Sequence, residues 1–125
     1  MQVKEFMHYP VVIDEDTSLS EAAKLMSAKG IGSLIVFKEG KIKGILTERD
    51  VLKNFGKNER VSEVMSKQVI TLTPKASLSK ALEIMREKKI KRLPIIAEGK
   101  LTGIITLTDI AAHIDEIEGD TLFDI

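Results

Sequence analysis

The sequence matches itself. With Ser18-Leu19-Ser20 laid on Ser77-Leu78-Ser79, Ala22 falls on Ala81, Met26 on Met85, Ile31 on Ile90 and Leu34 on Leu93. The register continues without a gap: Glu39-Gly40-Lys41 falls on Glu98-Gly99-Lys100, Gly44-Ile45 on Gly103-Ile104, Thr47 on Thr106 and Asp50 on Asp109. Ahead of it, Val3, Glu5 and Met7 match Val61, Glu63 and Met65 once one residue is inserted near Tyr9-Pro10. A tandem duplication constrains the fold strongly, because both copies must form the same unit. Each copy is also small, and below about 70–80 residues a single core supplies little stability. The copies are therefore expected to pack together about a pseudo-twofold axis, joined by the polar linker Phe55-Gly56-Lys57-Asn58-Glu59-Arg60.

Both copies read as βαββα, so the fold class is α+β. The β-branched runs Val11-Val12-Ile13 and Val69-Ile70-Thr71-Leu72 predict the first strand of each copy. Ser18 with Glu21 has the spacing of a capping box, and Ser77 opens the second helix in the same place. Leu19, Ala22, Ala23 and Met26, and then Leu78, Ala81, Leu82 and Met85, recur at helical spacing and predict one buried face per helix. Gly30 suits the residue that ends the first helix. Ser33–Phe37 and Ile42–Leu46 read as a hairpin about Glu39-Gly40-Lys41, as do Leu93–Ala97 and Leu101–Ile105 about Glu98-Gly99-Lys100. Asp50–Asn54 and Asp109–Ile117 read as closing helices.

Composition narrows the function. Lys+Arg and Asp+Glu are both 19, so the chain lacks the basic excess with which proteins displace counterions from a duplex. There is no cysteine, which removes disulfides, zinc–thiolate sites and thiol nucleophiles. No apolar run approaches the roughly 18 residues of a membrane span, and the first fifteen residues lack a signal-like apolar core. A cytoplasmic protein is expected. His8 and His113 share no ligand spacing and are read as non-catalytic, and no metal site is expected.

The densest signal is Gly44-Ile-Leu-Thr-Glu-Arg-Asp50 and its copy Gly103-Ile-Ile-Thr-Leu-Thr-Asp109. Each places a Thr and, three residues on, an Asp at a strand-to-helix junction. Helix starts present unsatisfied N–H groups and favour anions. A carboxylate there has lone pairs enough to accept two hydrogen bonds from a vicinal diol such as a ribose. Either Asp also suits a plain helix N-cap, and Thr47 and Thr106 suit capping equally. The basic run Lys88-Lys89-Ile90-Lys91-Arg92 stands before a strand, where it could meet phosphate or simply favour a helix C-terminus.

These segments, with Val61-Ser-Glu-Val-Met65, Val69-Ile-Thr-Leu-Thr-Pro74 and Ile90-Lys-Arg-Leu-Pro-Ile95, closely resemble the CBS domain family over residues 3 to about 114. Two copies in tandem are called a Bateman module, and this chain resembles stand-alone archaeal or bacterial forms. The resemblance implies CBS repeats at 1–57 and 58–117, with 118–125 as a C-terminal tail. It implies adenine-nucleotide sites in a cleft between the repeats, taking AMP, ADP, ATP or S-adenosylmethionine as a regulatory ligand rather than a required cofactor. Carried over by position, the second-repeat site is Thr71, Lys91, Arg92, Pro94, Thr106 and Asp109. The first-repeat site is Val12, Ser33, Thr47 and Asp50, with Arg49 beside it. Lys91 and Arg92 face Gly32 and Ser33 in the repeat alignment, so the second site is expected to hold phosphorylated ligands more tightly.

The expectation is a non-enzymatic sensor, homodimeric through its remaining apolar helix positions, whose output goes to a separate effector protein. Tandem CBS pairs are also inserted in inosine monophosphate dehydrogenases, but 125 residues leave no room for a catalytic barrel of roughly 250. Two other readings stay open. One is a protein–protein scaffold without ligand; the other, given the charge balance, is the less favoured nucleic-acid regulator using residues 86–92. The apolar residues Ile117, Leu122, Phe123 and Ile125 of the acidic tail would suit docking on a partner.

Overall fold

The computed structural model describes residues 1–113. The chain forms two compact units, one of Pro10–Val69 and one in which Met1–Tyr9 joins the chain from Ile70 onward. The compact units are thus cut differently from the sequence repeats. The opening segment of the chain completes the unit built by the second repeat, and residues 61–69 complete the unit built by the first.

In the Pro10–Val69 unit, β1 (Val12–Asp14) is followed by α1 (Leu19–Lys29), β2 (Ser33–Lys38), β3 (Lys41–Thr47), α2 (Glu48–Lys53) and α3 (Val61–Val64). The sheet order is β1-β2-β3, with β1 parallel and β3 antiparallel to β2. α1 buries Leu19, Ala22 and Met26 against Leu34 and Val36 of β2, Leu46 of β3 and Val61 of α3. Burial of such aliphatic side chains, each worth about 1.5–3 kcal/mol, is the main force holding the unit. Ser18 caps α1 through its hydroxyl, which accepts from the Glu21 N–H at 3.1 Å. The reciprocal half of the box expected from Glu21 does not form. Gly30 ends the helix in the left-handed region at φ 64°. At the hairpin Glu39 and Gly40 have φ of 52° and 76°, the pair of positive values that a two-residue turn between twisted strands requires.

The second unit repeats this plan with α4 (Leu78–Lys88), β4 (Arg92–Ala97), β5 (Lys100–Thr106) and α5 (Leu107–Ala112). Leu78, Ala81, Leu82 and Met85 pack on Leu93, Ile95, Ile105 and Ile110, together with Val3 and Phe6 from the start of the chain. Main-chain bonds lock that opening segment in place. The Val3 N–H donates to Ala76 O (2.8 Å), the Leu78 N–H to Met1 O (3.0 Å), and His8 and Ile104 exchange N–H···O bonds at 3.0 and 2.8 Å.

The strand expected at 69–72 is absent. Only Leu72 bridges β4, pairing with Ile95. The cause lies in two prolines. In the first unit the Ile35 N–H donates to Val11 O at 3.0 Å and the Glu15 N–H to Phe37 O at 3.2 Å. Pro94 and Pro74 stand at the equivalent positions, and neither has an N–H to donate. The ladder shrinks to the two bonds of Leu72, with Pro94 O at 3.1 Å and the Ile96 N–H at 2.8 Å. The expected closing helices also begin earlier, at Glu48 and Leu107. The expected extent of the last helix past 113, and the tail at 118–125, lie outside the described residues.

Candidate functional site

Each unit builds one Thr-x-x-Asp corner where a hairpin strand turns into a six-residue helix. Thr47 and Thr106 are in extended conformation and are the N-caps; Asp50 and Asp109 are the third helical residues rather than the caps themselves. The two side chains answer each other. The Asp109 N–H donates to Thr106 Oγ1 at 3.0 Å, and Asp109 Oδ2 accepts the Thr106 N–H at 3.0 Å. In the first unit Asp50 Oδ2 accepts both the Thr47 N–H (2.9 Å) and the Thr47 hydroxyl (3.1 Å), while the return bond is long at 3.5 Å. These are the complete capping boxes of the chain's two hairpin ends. Helices this short carry little macrodipole, so the carboxylate is the stronger chemical feature of each corner.

In both corners the hydrogen bonds converge on Oδ2, and among the described residues none is made to Oδ1. A half-buried carboxylate with one committed and one open oxygen can still accept from a ligand hydroxyl. The other expected site residues divide into those close by and those set apart. Arg92 is paired across the hairpin with Thr106, as Ser33 is with Thr47. The Lys91 carbonyl accepts the Leu107 N–H at 2.8 Å, and Gly32 does the same for Glu48 at 3.2 Å, so positions 91 and 32 flank the first turn of each helix. Arg49 is exposed on α2. Val12 is exposed on β1 beside Ile35. Thr71 is exposed just before the Leu72 bridge, and Pro94 is buried in β4 opposite Ile104.

One residue at the second corner is not among those the sequence singles out. His8 Nε2 lies 3.0 Å from Asp109 Oδ2. The two are 101 positions apart in sequence, and nothing local links them. The available signal is the match of Val3, Glu5 and Met7 to Val61, Glu63 and Met65, which puts His8 in the place of Ser66. Ser66 exchanges both main-chain bonds with Ile45 at 3.0 Å, as His8 does with Ile104. His113, the other histidine, stands edge-on to Phe6 with ring centroids 5.3 Å apart.

Among the described residues there is no group of three or more His, Asp or Glu able to hold a metal, and no helix long and apolar enough to cross a membrane.

The CBS domain model matches residues 3–57 and 61–116. The CBS domain-containing protein YhcV of Bacillus subtilis is 35% identical, over 89% of this chain and 84% of its own. The inosine-5'-monophosphate dehydrogenase of Nitrosopumilus maritimus is 38% identical over 85% of this chain but only 22% of its own length. Across the curated relatives, the chain spans from 20% to 84% of their length. Among solved structures, the CBS domain pair of protein MJ0100 in complex with 5'-methylthioadenosine and S-adenosyl-L-methionine superposes with a TM-score of 0.86 at 26% identity, covering 94% of this chain and 98% of that one. Two repeats with the same strand-to-helix corner, each matched by the same family model, place this chain in the CBS domain family.

Proposed function

We propose that the chain is a regulatory module that binds an adenosyl ligand, with the Asp109 and Asp50 carboxylates accepting from its ribose hydroxyls, and that it controls a separate protein. The observation that carries this reading is a carboxylate held by its own Thr, once in each unit, whose hydrogen bonds among the described residues all fall on Oδ2. The similarity to a CBS pair seen with 5'-methylthioadenosine and S-adenosylmethionine supports the ligand class. AMP, ADP, ATP and S-adenosylmethionine all carry that adenosine. Lys91 and Arg92, flanking the Asp109 corner, favour the phosphorylated members there; Gly32 and Ser33 offer no such charge at the Asp50 corner. Effector control in the cytoplasm by a homodimer completes the proposal. Exposed Phe55 and Leu52, at 86% and 74%, are apolar surface suited to a second copy.

A thermal-shift panel tests the reading. A ligand that binds the folded state at a hundred times its Kd stabilises by about 2.7 kcal/mol. Adenosine, AMP, ADP, ATP and S-adenosylmethionine are compared in the wild type, Asp50→Asn, Asp109→Asn and the double variant. A shift with adenosyl compounds that the double variant abolishes supports the proposal. Equal shifts in all four proteins would place the ligand elsewhere.

A further inference from the structure

We infer that His8 sets the ligand selectivity of the Asp109 corner by competing with the ribose for the carboxylate; the inference rests on the adenosyl reading above. The main chain fixes His8 through its paired bonds with Ile104. Close packing of Met7 over Gly103, where an added Cβ would lie 2.7 Å from Met7 Sδ, holds the segment against β5. From that position the imidazole Nε2 reaches Asp109 Oδ2 at 3.0 Å, while Nδ1 lies 3.2 Å from Tyr9 O. Oδ2 also accepts the Thr106 N–H. A vicinal diol bound to both carboxylate oxygens needs Oδ2 as well as Oδ1. It must therefore displace His8 or bind through Oδ1 alone.

Displacement is cheap enough to be reversible. The His8 side chain is 51% exposed and Asp109 24%, and ion pairs in such surroundings are worth little. Ser66 stands in the place of His8 in the first unit, on the same main-chain pairing with Ile45. Among the described residues no cation lies within ion-pair distance of Asp50. Oδ2 takes two bonds in both corners, but at Asp50 the second comes from the Thr47 hydroxyl, which can rotate away, whereas at Asp109 it comes from the His8 imidazole, which a ribose must push aside. A phosphorylated ligand recovers the difference at Asp109 through Lys91 and Arg92. One duplicated corner thereby yields two selectivities.

Adenosine, which carries the ribose without phosphate, is the probe. Its binding is followed site by site through the backbone amide resonances of Thr47 and Thr106, each bonded directly to the carboxylate in question. The wild type is expected to fill the Asp50 corner first. His8→Ala, which keeps the main-chain pairing, is expected to tighten the Thr106 response about three- to tenfold and leave Thr47 unchanged. Ser66→His is expected to weaken the Thr47 response by a similar factor. If His8→Ala leaves the Thr106 affinity unchanged or lowers it, the competition is overturned. Asp50→Asn and Asp109→Asn separate this failure from that of the parent reading. Adenosine responses lost in these variants but indifferent to His8→Ala sink only the role of His8. Responses indifferent to both Asp variants sink the adenosyl reading and the role of His8 together.

Discussion

The carbonyl oxygen of Ser66 lies 2.6 Å from where a Cβ on Gly44 would stand. The chain just past α3 bridges β3 at that point, with Met65 Sδ also 2.6 Å away. Gly103 makes the equivalent approach to Met7, but its nearest backbone atom, His8 O, is at 3.2 Å. A methionine tail can swing aside; a main-chain carbonyl in a β-bridge cannot. Gly44→Ala is therefore expected to destabilise by about 3 kcal/mol and Gly103→Ala by about 1 kcal/mol, within the range for overpacked sites. Urea unfolding of both variants checks the order, and equal losses would contradict it.

Lys89 ends α4 at φ 55°, where Gly30 ends α1 at φ 64°. A side chain in this left-handed region costs about 1–2 kcal/mol, part of which glycine returns through its greater freedom when unfolded. Lys89→Gly is expected to stabilise the protein by about 0.5–1 kcal/mol, measured by denaturant titration. Gly30→Ala is expected to cost about 1 kcal/mol, since it introduces the same strain.

Pro94 interrupts the ladder that Ile35 continues in the other unit. Pro94→Ile supplies an N–H facing the position of Ile70 O, and the new amide is expected to exchange slowly with deuterium. The net effect on stability is expected to be small. One hydrogen bond contributes about 0.5–1.5 kcal/mol, and losing a proline's rigidity gives back about 0.4–1 kcal/mol. Fast exchange at position 94 would show that something besides the prolines keeps 69–72 out of the sheet.

Val3 is fully buried in the unit built mainly from residues 70–113. Val3→Ala is expected to cost about 2 kcal/mol. Hydrogen exchange by unit is the decisive measurement. Protection is expected to fall in β4, β5 and α4, while β2 and β3 keep theirs. The reverse pattern would assign the opening segment to the other unit.

Much of this architecture was legible because it is periodic. Leu19, Ala22 and Met26 repeat at helical spacing, and Glu39-Gly40 and Glu98-Gly99 mark turns by chemistry that acts within a few residues. The Thr47–Asp50 and Thr106–Asp109 pairs were legible for the same reason. The missing strand was not, because β-branched Val69 and Ile70 argue for extension, while the veto comes from Pro94 on the neighbouring strand. The pairing of segment 1–9 was not legible either. The match of Val3 to Val61 states that the two are equivalent but not which copy each one serves. His8 is the sharpest case: it looks isolated in sequence and touches Asp109 only because that exchange brings it there.

The exchange also orders events during synthesis. Once residue 69 has emerged, the unit Pro10–Val69 has all its parts and can close. Residues 1–9 are made before that unit, yet Val3 and Phe6 have nothing to pack on until Leu78, Leu93 and Ile105 exist. A stretch made ahead of the Pro10–Val69 unit is buried after it. A ribosome paused between the repeats would hold one closed unit beside an unpaired apolar segment, a state that gives a chaperone something to bind.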